Sequence, residues 1–298
     1  MQSENLQGAF LMMAAMALFT VSDTVMKLLG GELPMFQTLL WRGLVISGVL
    51  FLLARRAGAF AAVLSPLDRR LVALRAVVEV ISTWFFLQAL YHMPLANLTA
   101  VMQALPLTVT LAAALFLGEP VGWKRIAAIV IGFLGILLIV RPGTEGFGLH
   151  STYALITVIL VTARDLATRR MSRSVPTFRV AFWSMSSVTA LGAIGSVSET
   201  WVLPTAGQFG LLAGTASCLI IASLLTVMAV RRGELGFVTP FRYTGLVWAL
   251  VLGFVVFGDW PTGLTLLGAG LVVATGLFTL YRERQMKRAA RVAALGRP

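Results

Sequence analysis

Hydrophobic runs of transmembrane length, separated by short polar turns, fill almost the whole of this 298-residue chain. A helix needs about 20 mostly apolar residues to cross the hydrocarbon core of a bilayer. That rule predicts ten spans: 6–29, 34–54, 71–90, 95–117, 124–140, 150–171, 176–198, 207–230, 236–257 and 261–281. Most connections are short, so successive spans are expected to be antiparallel neighbours. The longest, 55–70, is bounded by arginine pairs. The first span has no basic residue before it and no convincing cleavage site, and it reads as a retained helix rather than a signal peptide.

The polar and aromatic positions recur. Thr20, Asp23, Pro34, Phe36 and Trp41 return 142 residues later as Thr162, Asp165, Pro176, Phe178 and Trp183. Further along, the offset falls to 140: Ala89 with Ala229, Leu95 with Leu235, Thr99 with Thr239, and Gly118-Glu119 with Gly258-Asp259. Matches at Leu or Ala carry little weight in so apolar a chain, whereas Pro and Trp are rare here. Each copy holds five spans. Because five is odd, the second copy enters the bilayer from the opposite side, and inverted repeats of this kind mark transporters. The fold class expected is an all-α membrane protein, with ten transmembrane helices as two inverted five-helix repeats around a central cavity. The repeats cover 1–143 and 144–282, meeting at the Gly- and Pro-containing turn 141–148, and a basic tail follows at 283–298.

Composition agrees. The chain is 58% hydrophobic and 12% charged, about half the charged fraction of a soluble domain. The single cysteine, Cys218, excludes an internal disulfide. A net charge of +12 raises the question of nucleic acid, and the placement of the charges argues against it. With the N-terminus in the cytoplasm, eighteen Lys and Arg fall in inner loops and the tail, and only Arg141 falls outside. That bias is the positive-inside signature of a cytoplasmic membrane protein with both termini inside. The localisation expected is a bacterial-type inner membrane, with the tail against anionic lipid or serving as a plain topology anchor.

An ionisable side chain at mid-bilayer costs on the order of 3 kcal/mol on insertion scales. Those inside the spans are therefore the candidates for function: Asp23, Lys27, Arg42, Arg75, Glu79, Arg164, Asp165 and Arg242, with Gln88, Asn97, Gln103 and Tyr243 as uncharged companions. Arg75 and Glu79 are four apart and share a helix face. Glu79 lies about 12 Å from the inner end of its span, and Arg42 at a depth within about 6 Å of it, by the 1.5 Å rise per residue. Glu79 is the candidate for a coupling proton or a substrate amine; the alternative is an ion pair with Arg75 or Arg42 that joins helices. Asp23 with Lys27 and Asp165 with Arg169 sit near helix ends, where the cations reach the headgroups. Arg42, Arg164 and Arg242 make the interior cationic, which suits a substrate carboxylate.

Pro106 and Pro240 interrupt the fourth and ninth spans, and broken helices frame binding sites in transporters. Trp84, Tyr243 and Trp248 are candidates for aromatic walls. The fifth and tenth spans carry small residues instead of charges, at Ala128-x-x-x-Gly132 and Gly270-x-x-x-Ala274. Such stripes allow close helix approach, as peripheral packing or a dimer face. No phosphate-binding loop is present, and no His-Glu-x-x-His. His92 and His150 fall at outer loops, and no lysine stands mid-helix for a Schiff base. Neither cofactor nor metal is expected, nor an enzyme's catalytic constellation.

Arg75, Phe85-Phe86-x-x-Ala89-Leu90, Pro94-Leu95-Ala96, Pro106, Gly118-Glu119 and the Gly-rich fifth span together resemble the drug/metabolite transporter superfamily, EamA branch. The resemblance covers nearly the whole chain. It implies a central cavity lined by the first four helices of each half, with the fifth and tenth outside. Members move amino acids, nucleotide derivatives, sugars and S-adenosylmethionine, so it implies a small-molecule substrate without naming one. The expected function is alternating-access export of amino acids, aromatic ones included. An uptake or exchange carrier for S-adenosylmethionine or another metabolite is the alternative, and a passive channel is the alternative of a different class. A monomer or weak dimer is expected.

Overall fold

The computed structural model describes residues 2–119, 121–141, 148–172, 174–232 and 235–295. Most of the expected 141–148 turn, Arg173 and Arg297 lie outside the described residues, as do the side chains of Arg284, Lys287, Arg288 and Arg291 in the basic tail. Twelve α-helices are present among them: α1 Gln2–Leu29, α2 Met35–Arg56, α3 Pro66–His92, α4 Leu95–Met102, α5 Leu105–Leu117, α6 Trp123–Val140, α7 Leu149–Arg170, α8 Thr177–Gly195, α9 Ala206–Arg232, α10 Leu235–Val238, α11 Thr244–Phe257 and α12 Gly263–Leu295. 3-10 turns occupy Ser196–Ser198 and Thr239–Tyr243. Nine spans among the described residues are long and apolar enough to cross a membrane. The expected tenth, α7, has the length at 22 residues but is too polar for that criterion, because Arg164, Asp165, Arg169 and Arg170 crowd its second half.

The contacts divide the chain into two compact units, one of Met1–Ala17, Pro94–Gly148 and Ala222–Pro298, the other of Leu18–Met93 and Leu149–Ile221. Each unit draws helices from both sequence repeats.

The unit built on Leu18–Met93 and Leu149–Ile221 is organised around α2 and α8. The hydroxyls of Ser47 and Thr189 meet at 3.0 Å. They are 142 apart, so each occupies the other's place in the repeat, and their bond sits where a local twofold axis would run. Glycines let the two helices approach. A Cβ on Gly192 would lie 2.6 Å from Leu40 N and 2.9 Å from Phe36 O, and one on Gly43 would collide with Thr189.

From this centre the contacts repeat at the two ends of the unit. At one end Ser65 caps α3: its Oγ accepts from Asp68 N at 3.0 Å and donates to Asp68 Oδ2 at 2.7 Å. Asp68 Oδ1 also accepts from Ser172 N, just past α7, at 2.9 Å. At the other end Thr205, 140 residues on, forms a capping box with Gln208 at the start of α9. Gln208 Nε2 then donates to Glu32, just past α1, at 2.7 Å. Gln37 at the start of α2 donates to Val202 O, and its repeat partner Arg179 at the start of α8 donates to Ala62 O at 2.6 Å. The apolar clusters follow suit: Leu29, Leu33 and Leu212 pack at one end, and Val72 with Met171 and Val175 at the other. These are repeat-related sets at offsets of 142 and 140.

In the other unit, α4 and α5 are separated at Gln103-Ala104, and the 3-10 turn Thr239–Tyr243 stands between α10 and α11. Pro106 has no N–H to return to Met102 O, so the α-helical ladder stops there. Both copies end their broken helix on a left-handed glycine, Gly118 at φ 67° and Gly258 at φ 70°. The next residue's N–H bonds back to Ala113 O in one copy and Gly253 O in the other, at 3.3 and 3.1 Å. Helices α6 and α12 meet each other through small residues, and on α12 the contact is made by Gly268 and not by the Gly270-x-x-x-Ala274 stripe that the sequence singles out. A Cβ on Gly135 would lie 2.8 Å from Gly268 O, whereas one on Gly270 would meet open space.

The α2–α8 approach yields a stability prediction. Gly192→Ala forces backbone apart and is expected to lower stability by about 1–3 kcal/mol. Gly48→Ala, in open space on the partner helix α2, is expected to raise stability slightly or leave it unchanged. Thermal unfolding of the detergent-solubilised protein measures both.

Candidate functional site

Glu79 stands on α3 with its carboxylate facing α7, and the residue is only 8% exposed. Arg164 Nη1 donates to both carboxylate oxygens, at 3.1 and 3.3 Å. Arg164 also holds Asp165 Oδ1, from Nη2 at 2.9 Å and Nε at 3.0 Å. Arg75, one helical turn before Glu79, lies 3.8 Å from Glu79 Oε2 and donates to Thr168 Oγ1 at 2.6 Å. Thr168 follows Arg164 by one turn, so two i,i+4 ridges face each other across α3 and α7. Two guanidiniums and two carboxylates cancel in formal charge, the form in which charges survive away from water.

The sequence alternative that paired Glu79 with Arg75 is met, by the longer contact. The alternative that paired it with Arg42 is not. Similar depth along two helices does not bring side chains together when their rotations about the helix axes differ. Arg42 Nη2 donates instead to Ser22 Oγ at 2.9 Å, and Ser22 donates to Thr215 O at 3.3 Å. Asp23, beside Ser22 on α1, is close enough for its carboxylate to act on the same guanidinium. Arg42 Nε and the Tyr91 hydroxyl are buried with no hydrogen-bond partner. Lys27 Nζ donates to Met93 O.

The two clusters are repeat relatives. Ser22-Asp23 corresponds to Arg164-Asp165, Arg42 to Ser184, and Thr215 to Arg75. Each place holds an aspartate and at least one arginine, supplied by different helices. Glu79 corresponds to Leu219, so the second carboxylate exists at one place only.

Trp84 packs in an aromatic group on the same unit, 4.9 Å from Phe85 and 5.6 Å from Tyr153. His92 and His150 stack at 4.0 Å beside it, with Tyr153 at 5.8 Å from His150. Gln103, Arg242, Tyr243, Trp248 and both helix-breaking prolines belong to the other unit. There Gln103 Nε2 donates to Arg242 O at 3.5 Å, joining the two breaks. The Arg242 side chain is exposed, and Trp248 is 40% exposed. Tyr243 is buried, its ring and hydroxyl filling the space left by Gly276 of α12. Among the described residues, no three or more His, Cys, Asp or Glu gather as a metal site. Sequence reasoning missed Ser22, Tyr91 and Thr168 as parts of these clusters. The repeat itself was the available signal, since Arg164 stands in the place of Ser22.

The profile of the EamA-like transporter family matches residues 6–141 and again 150–281. The chain belongs to the EamA-like transporter family. It is similar to the S-adenosylmethionine uptake transporter of Rickettsia conorii, at 27% identity over 194 residues. That match covers 64% of this chain and 65% of the Rickettsia protein, just under two thirds of its length. It is also similar to the pseudopaline exporter CntI of Pseudomonas aeruginosa, at 25% identity over 280 residues, 93% of this chain and 97% of the other. A solved crystal structure superposes with a TM-score of 0.64 at 18% identity, over 95% of this chain and 99% of that one, which speaks for the fold.

The α3–α7 network makes a prediction of its own. Removing one partner of a buried pair leaves the other uncompensated, at a cost of about 3–5 kcal/mol. Arg164→Gln is therefore expected to be strongly destabilising, and Glu79→Gln combined with it to recover at least about 1 kcal/mol of the summed single losses. A double-mutant cycle on thermal or denaturant unfolding reads the coupling directly.

Proposed function

We propose that this protein is a secondary carrier that exports amino acids, aromatic ones among them, by alternating access. Two five-helix repeats, 1–143 and 144–282, are its working halves, and both termini face the cytoplasm. The observation that carries the reading is the pair of repeat-related charge clusters, of which the Arg42 cluster keeps a guanidinium N–H and a phenol hydroxyl without partners. Those two donors suit a substrate carboxylate, and Arg42 is its recognition residue. Glu79 is the coupling group: a carboxylate held by two arginines changes its partners when a proton or an ammonium group arrives. Gln103 and Arg242, at the two helix breaks of their unit, and Trp248 in the same unit are candidates to meet the substrate, as is Trp84 in the unit that holds Arg42 and Glu79. Pro106 and Pro240 keep the breaks open.

A second reading has a specific observation behind it. The similar Rickettsia protein is named an uptake transporter for S-adenosylmethionine, while the similar Pseudomonas protein is named an exporter. S-adenosylmethionine carries the same amino-acid head that Arg42 would recognise, so import or exchange of such a metabolite uses the same site.

Proteoliposomes loaded with a panel of labelled amino acids and S-adenosylmethionine, with and without a pH gradient, separate these readings. Saturable flux with counterflow is expected; flux that neither saturates nor exchanges would instead mark a channel. Arg42→Gln is expected to raise KM about tenfold or more, the scale of one lost charge-assisted hydrogen bond. Glu79→Gln is expected to abolish gradient-driven transport while leaving counterflow measurable. Normal transport by Glu79→Gln with an unchanged pH profile would remove the coupling role. Single cysteines at Gln103 and Arg242 are expected to react with a water-soluble reagent faster than one at Ile131, which lies on α6.

A further inference from the structure

The repeat that relates the two ends of the α2–α8 unit is broken at one place in a way that creates a site. At one end Trp41 is closed in by aromatic rings, with Phe209 at 5.2 Å and Trp201 at 6.4 Å. At the other end the corresponding residue is Trp183, and the position equivalent to Phe209 is Arg69. The position equivalent to Gln37 is Arg179. A cavity of about 430 Å³ opens between α3 and α8, walled by Val72, Val77, Trp183 and Ser187, with Arg69 and Arg179 bordering it. Trp183 is 47% exposed and Val77 56%. Arg179 spends Nη1 on Ala62 O, and its buried Nε has no partner. Arg69 Nε donates to Leu64 O at 3.2 Å, and among the described residues its terminal nitrogens make no hydrogen bond.

We propose that this groove binds one anionic phospholipid, its phosphate between Arg69 and Arg179 and an acyl chain along Val72, Val77 and Trp183. The chemistry is that of an amphiphile. Two guanidiniums match a phosphodiester, and the walls beyond them are apolar and open. The arginines stand at the end of the unit where Arg55, Arg56, Arg70, Arg169 and Arg170 also cluster. That is the side the positive-inside rule assigns to the anionic leaflet. A tryptophan at the rim is the usual companion of a headgroup. A soluble anion would have no use for the apolar wall, and a neutral lipid none for two arginines. The site is independent of the transported substrate.

The repeat also supplies the variants. Arg179→Gln restores the residue that does the same carbonyl-holding work at position 37, and Arg69→Phe restores the residue at 209, so the double variant imitates the closed end without charge. Ala73→Trp fills the groove and leaves both arginines in place. Native mass spectrometry of the delipidated protein, titrated with phosphatidylglycerol or phosphatidylethanolamine, reads occupancy. The wild type is expected to retain one phosphatidylglycerol in preference to phosphatidylethanolamine. In R69F/R179Q that preference is expected to fall about thirty-fold, from roughly fivefold per arginine near an anionic lipid. A73W is expected to lose phosphatidylglycerol binding as well, and it decides the matter alone if the double variant does not fold. R231Q/R232Q, which alters exposed arginines elsewhere, is expected to bind as wild type. Undiminished phosphatidylglycerol binding in R69F/R179Q or in A73W overturns the proposal. So does an equal loss in R231Q/R232Q, which would mark a diffuse basic surface. Displacement of the lipid by millimolar inorganic phosphate would overturn it in favour of a soluble anion.

Discussion

In a bilayer, helices gain little from burying apolar surface against one another, because lipid is as apolar as leucine. Close backbone approach and satisfied polar contacts must supply the order instead. The α2–α8 pair does this with Gly43 and Gly192, which bring the backbones together, and with the Ser47–Thr189 bond at their crossing. Because these two hydroxyls are repeat partners, fixing this crossing fixes a local twofold relation. Once it is set, the start of α2 and the end of α8 are held at one end, and the start of α8 and the end of α2 at the other. Glu199 then accepts from Phe36 N and Gln37 N at 3.1 and 3.0 Å. Those N–H groups, in the first turn of α2, have no partner within the helix. Arg179, Asp68, Gln37 and Gln208 complete the ties at their respective ends.

The same economy governs the charges. An unpaired charge in hydrocarbon is costly, so α7 carries its arginine and aspartate on a face covered by α3, with Glu79 and Arg75 opposite. That is also why α7 alone among the ten expected spans fails a hydropathy criterion. Its polarity is not spent on lipid. A helix that turns its charged face inward has no need of an apolar majority along its whole length, and the reading of α7 as a span rests on that packing.

Much of this was legible beforehand because rare residues mark the repeat. Trp41 with Trp183 and Pro34 with Pro176 set the offset, and Gly118 with Gly258 extend it; that both are left-handed caps comes from the structure. Pro106 and Pro240 located two helix breaks. The partner of Arg164 was not legible: Glu79 is 85 residues away, and the contact depends on how two helices are rotated, which hydropathy does not report. The same ignorance of azimuth put Arg42 within reach of Glu79, and it leaves a small-residue stripe such as Gly270-x-x-x-Ala274 without an assigned neighbour. Small-residue spacing shows that a helix can be approached closely. It does not show which of two neighbouring glycines is used.

A carrier built from two inverted copies has a difficulty that its symmetry creates. If the copies were identical, the two ends of each bundle would bind equally, and nothing would give transport a coupling group or a preferred leaflet. Any chemical difference between the two ends therefore has to come from departures from the repeat. Among them are these large changes of charge: Glu79 against Leu219, Arg42 against Ser184, Arg164 against Ser22, Arg75 against Thr215, and Arg69 against Phe209. The contacts that hold the bundle together conserve the repeat even when residue types change, as Gln37 and Arg179 do by both holding a carbonyl. The charged departures stand in one copy only, and on α3 and α7 they also pair across the two helices. Ties that keep the symmetry build the scaffold, and single-copy charges make its two ends different.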